Sequence, residues 1–218
     1  MQEEQSTTCP LMQVESSNPQ LASIGKAEKE RFLPRQTEKQ KVPEIIVLVD
    51  ERDNPIGYEE KLAAHRDGGK LHRAFSIFIF NSKKQALLQL RSKAKHHFQS
   101  LWSNPCCSHP IKGEKLEAAV HRKLKQELGF DTPLKETFSF VYKATDPKSG
   151  LTEHEFDHVF IGQYDRDPKP NPEEVDDWKW VTLTELQRDL DKNPAKYTPW
   201  FPIAFNKLRK ENLGLPEA

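Results

Sequence analysis

The stretch Ala74-Phe75-Ser76-Ile77-Phe78-Ile79-Phe80 carries apolar side chains at nearly every position rather than at alternate ones. Successive strand side chains point to opposite faces, so such a run must be covered on both. It predicts a strand over Leu71 to Asn81 at the centre of a layered structure. Glu44 to Asp50 reads as a short buried strand, followed by turn chemistry at Asp53-Asn54-Pro55-Ile56-Gly57. Ala86 to Arg91 reads as the hairpin partner of the central strand across Asn81-Ser82-Lys83-Lys84. Trp102 to Cys107 reads as an irregular access loop. Phe138 to Tyr142 and Phe156 to Tyr164 read as strands joined around Pro147 to Gly150, with a further strand at Trp178 to Val181. Leu116, Ala119, Val120, Leu124 and Leu128 form a helical stripe starting at Lys115, and Gly129 supplies its stop. A second helix is capped by Thr182 or Thr184, and Phe201, Ala204, Phe205 and Leu208 mark a last amphipathic one. The expected class is α/β (α+β), a mixed central sheet flanked by helices on both sides.

Mean hydropathy is −0.80, low for such a fold, but the ends explain part of it. Residues 1–41 hold one aromatic, Phe32, and no apolar periodicity. They read as a flexible tail before a single domain over 42–218. With 33 basic and 33 acidic residues the net charge is zero, which favours neither nucleic acid nor an anionic membrane. The longest apolar run, Ile45 to Val49, is far short of the ~20 residues of a bilayer span. Met1-Gln2-Glu3-Glu4 offers neither a basic start nor an apolar segment, so a secretory signal is not expected. Of three cysteines, Cys106 and Cys107 are adjacent and cannot bridge without strain. Reduced thiols and a cytoplasmic setting follow; a monomer or weak dimer is expected.

The chemistry concentrates in Asn104-Pro105-Cys106-Cys107-Ser108-His109-Pro110. A thiol and an imidazole two residues apart can supply a proton-transfer group and a metal ligand to one cavity. His65 and His72 flank the pair Gly68-Gly69, and Glu153-His154-Glu155 opens an apolar stretch. On a strand, Glu153 and Glu155 point to one face. Three imidazoles, two carboxylates and a thiol brought together make a metal-assisted acid–base centre, and hence an enzyme. His96, His97, His121, His154 and His158 read as surface or satisfied core residues, Cys106 as a small buried apolar one, and Glu173 to Asp177 as a solvated loop.

The segment Gly113-Glu114 through Arg122-Lys123-Leu124-Lys125-Gln126-Glu127-Leu128-Gly129 resembles the Nudix box, a loop and helix whose carboxylates hold Mg²⁺ against a diphosphate. The opening glycine of the box falls on Ser108. Of its three metal-binding glutamates, one position is Lys123, one is Gln126, and Glu127 survives. Diphosphate hydrolysis relies on carboxylate-held metal to activate water. One carboxylate with Lys123 beside it suits binding better than cutting.

That pattern, with Lys61-Leu62-Ala63-Ala64-His65, Leu71-His72-Arg73-Ala74-Phe75, Arg91 with Lys95, Trp102-Ser103-Asn104, Tyr142-Lys143-Ala144 and Pro199-Trp200, resembles the type I isopentenyl diphosphate isomerases. The resemblance spans roughly Ile45 to Phe205 and implies a Nudix fold. It implies that His65, His72, His109, Glu153 and Glu155 hold one divalent metal, for which Mn²⁺, Mg²⁺ and Zn²⁺ are all compatible. By the same resemblance Glu127 and the main-chain carbonyl of Cys107 hold the Mg²⁺ that meets the diphosphate. Lys61, Arg91, Lys95 and Lys123 fall at phosphate-contacting positions. Glu155, near Tyr142, is the expected acid relay, and Cys107 the opposing base, its thiol pKa lowered by metal and basic neighbours. Trp200 would cushion a carbocation with its ring face. The implied partner is a small prenyl diphosphate. Phe98-Gln99-Ser100-Leu101 and Pro105 depart from the family's usual access loop. Two other readings stand beside this one, a Nudix hydrolase of a diphosphate compound and a metal-stabilised binding or scaffold protein.

Overall fold

The computed structural model describes residues 43–210; the tail expected over 1–41 lies outside the described residues. In chain order the elements are β1 (Ile45–Val49), β2 (Pro55–Glu60), the one-turn helix α1 (Lys61–Ala64), β3 (His72–Phe80), β4 (Gln85–Arg91), β5 (Trp102–Ser103) and β6 (Cys106–Ser108). Then come α2 (Leu116–Leu128), β7 (Leu134–Thr145), β8 (Thr152–Gln163), β9 (Val175–Thr182), α3 (Leu183–Lys192) and α4 (Trp200–Lys210).

The strand read as central is central. Along its whole length β3 pairs in parallel with β8, His72 opposite Glu155 and Phe80 opposite Gln163. Its other edge is divided among three antiparallel neighbours: β1 at His72, β6 over Phe75 to Ile77, and β4 at Phe80. The sheet is therefore mixed. Phe75, Ile77 and Ile79 pack with Ala119, Val120, Leu124 and Leu128 of α2. From the opposite face, Phe78 and Phe80 pack with Leu186 and Leu190 of α3 and Phe201, Phe205 and Leu208 of α4. Helices flank both faces, as expected. Each fully buried Phe or Ile in β3 contributes about 1.5–3 kcal/mol, so this strand fixes both layers.

Three readings are corrected. The turn at Asp53 to Gly57 gives way at Pro55 to a six-residue strand, β2, paired with β1; Pro is tolerated there because β2 lies at the end of the strand order. The hairpin of β3 and β4 shares one paired position, Phe80 with Ala86, before β4 turns to run along β9 from Gln85 to Arg91. The access loop contains two short strands, β5 and β6. β6 decides the fate of the adjacent cysteines: strand alternation sends Cys106 into the α2 layer and Cys107 to the opposite face.

Candidate active site

His65 follows α1, whose N-terminus is capped by Glu60, Oε1 accepting from Leu62 N at 2.9 Å and Oε2 from Ala63 N at 2.8 Å. A tight turn through Gly68 and Gly69, both at positive φ, returns the chain to His72 at the start of β3. His109 leaves β6, and Glu153 and Glu155 alternate on β8. One ligand atom from each of His65, His72, His109, Glu153 and Glu155 lies within 4.8 Å of all the others, and all five residues are buried.

The imidazole tautomers argue that this cluster is built for a cation. His65 Nδ1 lies 2.6 Å from the carbonyl of Lys61, and His72 Nδ1 2.7 Å from that of Lys70. Carbonyl oxygens only accept, so both Nδ1 atoms carry a proton, which leaves each Nε2 facing inward as the atom able to ligate a cation. There His65 Nε2 meets Glu153 Oε2 at 2.8 Å, and His72 Nε2 meets His109 Nε2 at 3.1 Å. His109 Nε2 is 2.9 Å from Glu155 Oε1, while its buried Nδ1 has no partner. Acceptors converging on acceptors repel unless a positive charge sits among them. A divalent ion fits this donor set.

The charges respond accordingly. Burial alone would lower His65, but the Glu153 carboxylate reverses the sign and its pKa is raised. His109, pressed by burial and by His72, falls well below the usual imidazole range. Burial works against the Glu153 carboxylate, yet His97 and His65 hold it well below its ordinary value. Glu155 is raised by burial and by Glu153. Its Oε2 accepts from the Tyr142 hydroxyl at 2.6 Å.

Cys107 occupies the neighbouring wall. Its Sγ accepts from Trp200 Nε1 at 2.9 Å and donates to Asn104 Oδ1 at 3.0 Å, with Ser76 Oγ at 3.7 Å. Asn104 is fully buried and fixed by its amide, which donates to the carbonyls of Ile77 and Cys106. The expected lowering of the thiol pKa is corrected here: burial first, then the carboxylate of Asp157, push it up to about 12, against a smaller opposing pull from Arg91. Trp200 is nearly fully buried, with the Arg91 guanidinium over its ring at 5.3 Å and Tyr142 at 5.9 Å. Its ring thus already carries one cation.

The basic residues divide into two groups. Arg91 donates Nε to the carbonyl of Phe98 at 3.0 Å and Nη2 to that of His97 at 3.1 Å, so it holds the access loop. Lys61, Lys95 and Lys123 each face a carboxylate. Lys61 pairs with Glu44 at 2.9 Å. Lys123 Nζ lies 3.0 Å from Glu127 Oε1 and 3.8 Å from Glu174 Oε1. Lys95 pairs with Glu174 and lies 3.9 Å from Glu127 Oε2. Glu127 is 1% exposed and neither oxygen is in an aligned hydrogen bond. α2 delivers it there because Glu114 grips Arg122 with both oxygens at 2.6 Å, clamping loop to helix, and Gly129 at φ 75° ends the helix.

Several functional neighbours escape sequence reasoning. His97, read as bland, is buried, with Nε2 against Glu153 Oε1 and its ring 5.1 Å from His65. Glu174, read as solvated, and Glu44 face the lysines. Asp157 is fully buried, accepts from Ser76 Oγ at 2.8 Å, and leaves Oδ1 unpartnered. A signal for Asp157 existed, since Glu153, Glu155 and Asp157 alternate on one strand face; none marked His97 or Glu174. A surface groove of about 750 Å³ lies at the far end of β3 and β8, lined by Phe80, Leu134 and Gln163, away from this chemistry.

A mixed sheet between helices, with a clamped loop and helix beneath a buried carboxylate, defines a NUDIX domain, and the model of that name matches residues 70–201. Solved structures agree on the fold: DR0079 from Deinococcus radiodurans superposes with a TM-score of 0.58 at 22% identity, covering 69% of this chain and 90% of that one. Isopentenyl-diphosphate Delta-isomerase 2 of Photorhabdus laumondii is 50% identical over 170 residues, 78% of this chain and 95% of the relative. The Delta-isomerase of Halorhodospira halophila is 45% identical over 159 residues, 72% of this chain and 91% of the relative. The chain belongs to the type I isopentenyl-diphosphate Delta-isomerases of the NUDIX superfamily.

Proposed function

We propose that the chain interconverts isopentenyl and dimethylallyl diphosphate, with Glu155 and Cys107 moving the two protons. One observation carries this: the Cys107 thiol and the buried Glu155 carboxylate of the His/Glu cluster are linked through Trp200 and Tyr142. Shifting a double bond by one carbon needs a proton added at one carbon and another removed elsewhere. The alkene is a feeble base, and the tertiary carbocation formed would be trapped by water. The site must therefore exclude water and pair an acid with a base.

His65, His72, His109, Glu153 and Glu155 would hold one divalent ion, Mn²⁺, Mg²⁺ or Zn²⁺. Such an ion supplies positive charge that makes a ligating carboxylic acid a stronger proton donor. Tyr142 orients Glu155 towards the pocket and can relay its proton. To act as a base Cys107 must enter the reaction as the thiolate, its own proton lost to solvent before the substrate closes the site, so that the sulfur can then take the proton the substrate gives up. The Trp200 indole N–H, with Ser76 behind it, then supports the sulfur's charge. In the reverse direction the two groups exchange roles. The aromatic walls of Trp200, Tyr142 and Phe98 keep water out, and the ring of Trp200 can share in stabilising positive charge. Glu127 and the carbonyl of Cys107 would hold the Mg²⁺ that accompanies the diphosphate. Lys61, Lys95 and Lys123 would take its oxygens, with Arg91 shaping the loop beside them. The setting is read as cytoplasmic, in keeping with free Cys106 and Cys107.

Incubation with isopentenyl diphosphate and Mg²⁺ should yield an acid-labile allylic product. Cys107→Ser and Glu155→Gln should each lower kcat by at least about 10³-fold while leaving folding and diphosphate affinity largely intact. Near-wild-type rates in either variant refute the role assignment. Release of inorganic phosphate in place of the allylic product would favour a hydrolase, against which Lys123 and Gln126 stand at two carboxylate positions of the box.

A further inference from the structure

Glu127 and Glu174 alternate with Lys95 and Lys123, and all four unlike pairings are made: Lys123 with Glu127 at 3.0 Å and with Glu174 at 3.8 Å, Lys95 with Glu127 at 3.9 Å and with Glu174 in direct contact. The four charges sum to zero. Glu174 reaches this square from a loop far away in sequence, and the loop is anchored. Asn171 N donates to the carbonyl of Glu127 at 2.9 Å, Glu174 N to that of Asn171 at 3.0 Å, and Ser92 N to that of Glu174 at 3.0 Å. Meanwhile both oxygens of Glu127, almost wholly buried, lack any aligned donor.

A patch of lysines alone would attract any polyanion. A balanced square does not, because a bare diphosphate must approach two carboxylates as well as two ammonium groups. A diphosphate already carrying a divalent cation suits both sets, its oxygens meeting the lysines and its metal meeting carboxylate oxygens. We propose that Glu174 is a specificity-determining residue of the diphosphate subsite, one that makes this lysine cluster select the magnesium complex of the diphosphate over the free anion. In this role Glu174 supplies the negative charge that the box lacks at Lys123 and Gln126. The inference rests on the diphosphate reading above and deepens it.

The test is isothermal titration of the full-length chain with inorganic pyrophosphate, once with Mg²⁺ and once with a chelator. In the wild type Mg²⁺ should tighten binding strongly. In Glu174→Gln the lysines are released and a like charge is gone, so metal-free pyrophosphate should bind on the order of tenfold more tightly. The enhancement by Mg²⁺ should shrink by a similar factor. Glu174→Ala, which leaves no polar group at the position, should behave in the same way, and a native circular dichroism spectrum with a cooperative unfolding transition above the assay temperature would show that both variants are titrated as folded proteins. Equal Mg²⁺ enhancement in wild type and both variants would overturn the selectivity role while leaving diphosphate binding standing. A wild type that binds pyrophosphate in neither condition would instead sink the diphosphate reading, and this inference with it.

Discussion

The turn between His65 and His72 offers a sharp test of how the metal ligands are held. Gly68 and Gly69 both lie in the left-handed region, at φ 85° and 72°. A Cβ on Gly68 would meet nothing within 4 Å, whereas one on Gly69 would lie 2.7 Å from the Thr152 carbonyl oxygen and 3.0 Å from its Cγ2. Gly68→Ala therefore carries backbone strain alone. That strain is about 1–2 kcal/mol, less about 0.4–1 returned by stiffening the unfolded chain, for a net loss of about 1 kcal/mol. Gly69→Ala adds an overpacked contact worth about 1–3 kcal/mol. The contact cannot relax cheaply, because Thr152 N donates to the carbonyl of His65 at 2.8 Å and Thr152 precedes Glu153. For a domain of this size the melting temperature should fall by about 2–4 °C in Gly68→Ala and about 4–16 °C in Gly69→Ala. Since the turn also carries Lys70, whose carbonyl fixes His72 Nδ1, Gly69→Ala should lose bound metal on dialysis and Gly68→Ala should keep it. Thermal unfolding and elemental analysis of the dialysed proteins read both effects. Equal melting temperatures and equal metal content in the two variants would refute the steric reasoning.

Chelation should destabilise the wild type, since inward lone pairs and carboxylates are left facing one another, and added Mn²⁺ or Zn²⁺ at a hundredfold excess over Kd should restore about 2.7 kcal/mol; an unfolding curve indifferent to chelator would contradict the cluster's role. Burial would raise the Glu174 carboxyl, but Lys95 and Lys123 outweigh it and bring it down to about 2 from an ordinary 4.5. Its stabilising contribution is therefore complete above pH 4.5 and is lost as pH falls from there towards 2, so Glu174→Gln should show a shallower loss of stability over that window in acid unfolding. Ser100, exposed at φ 57° in the access loop, should gain about 0.5–1 kcal/mol on replacement by glycine, read as a rise in melting temperature; a fall would mean the loop is not strained there.

The sequence carried the scaffold through periodicity. An all-apolar run marked β3, a helical stripe ending in Gly129 marked α2, and Thr182 proved to be the cap of α3 with a reciprocal bond from Glu185. It misled where a local signal outweighed a distant partner. Pro55 and Gly57 spelled a turn, yet β1 recruits them into a strand. Ala86 to Arg91 looked like half of a hairpin, yet β9 takes it. The same division runs through the site. His65, His72, His109, Glu153 and Glu155 were legible because each sits in a distinctive local string. His97 and Glu174 were not, since their meaning lies in a partner 56 or 79 residues away. The burial of Cys107 was hidden for a related reason: it is a property of the assembled fold, and it raises the thiol against the pull of Arg91.

The way β6 parts its two sulfurs has a consequence for oxidative stress. In the thiolate form that the base role requires, Cys107 would be open to peroxide oxidation to a sulfenic acid, which in many proteins is rescued by condensing with a nearby thiol. Here the adjacent thiol lies across the sheet against α2 and cannot come round without stripping β6 from β3. Among the described residues no other thiol could then resolve the lesion, which would wait for a reductant from outside this domain or advance to irreversible acids, leaving an isomerase of this build dependent on the reducing power of its surroundings.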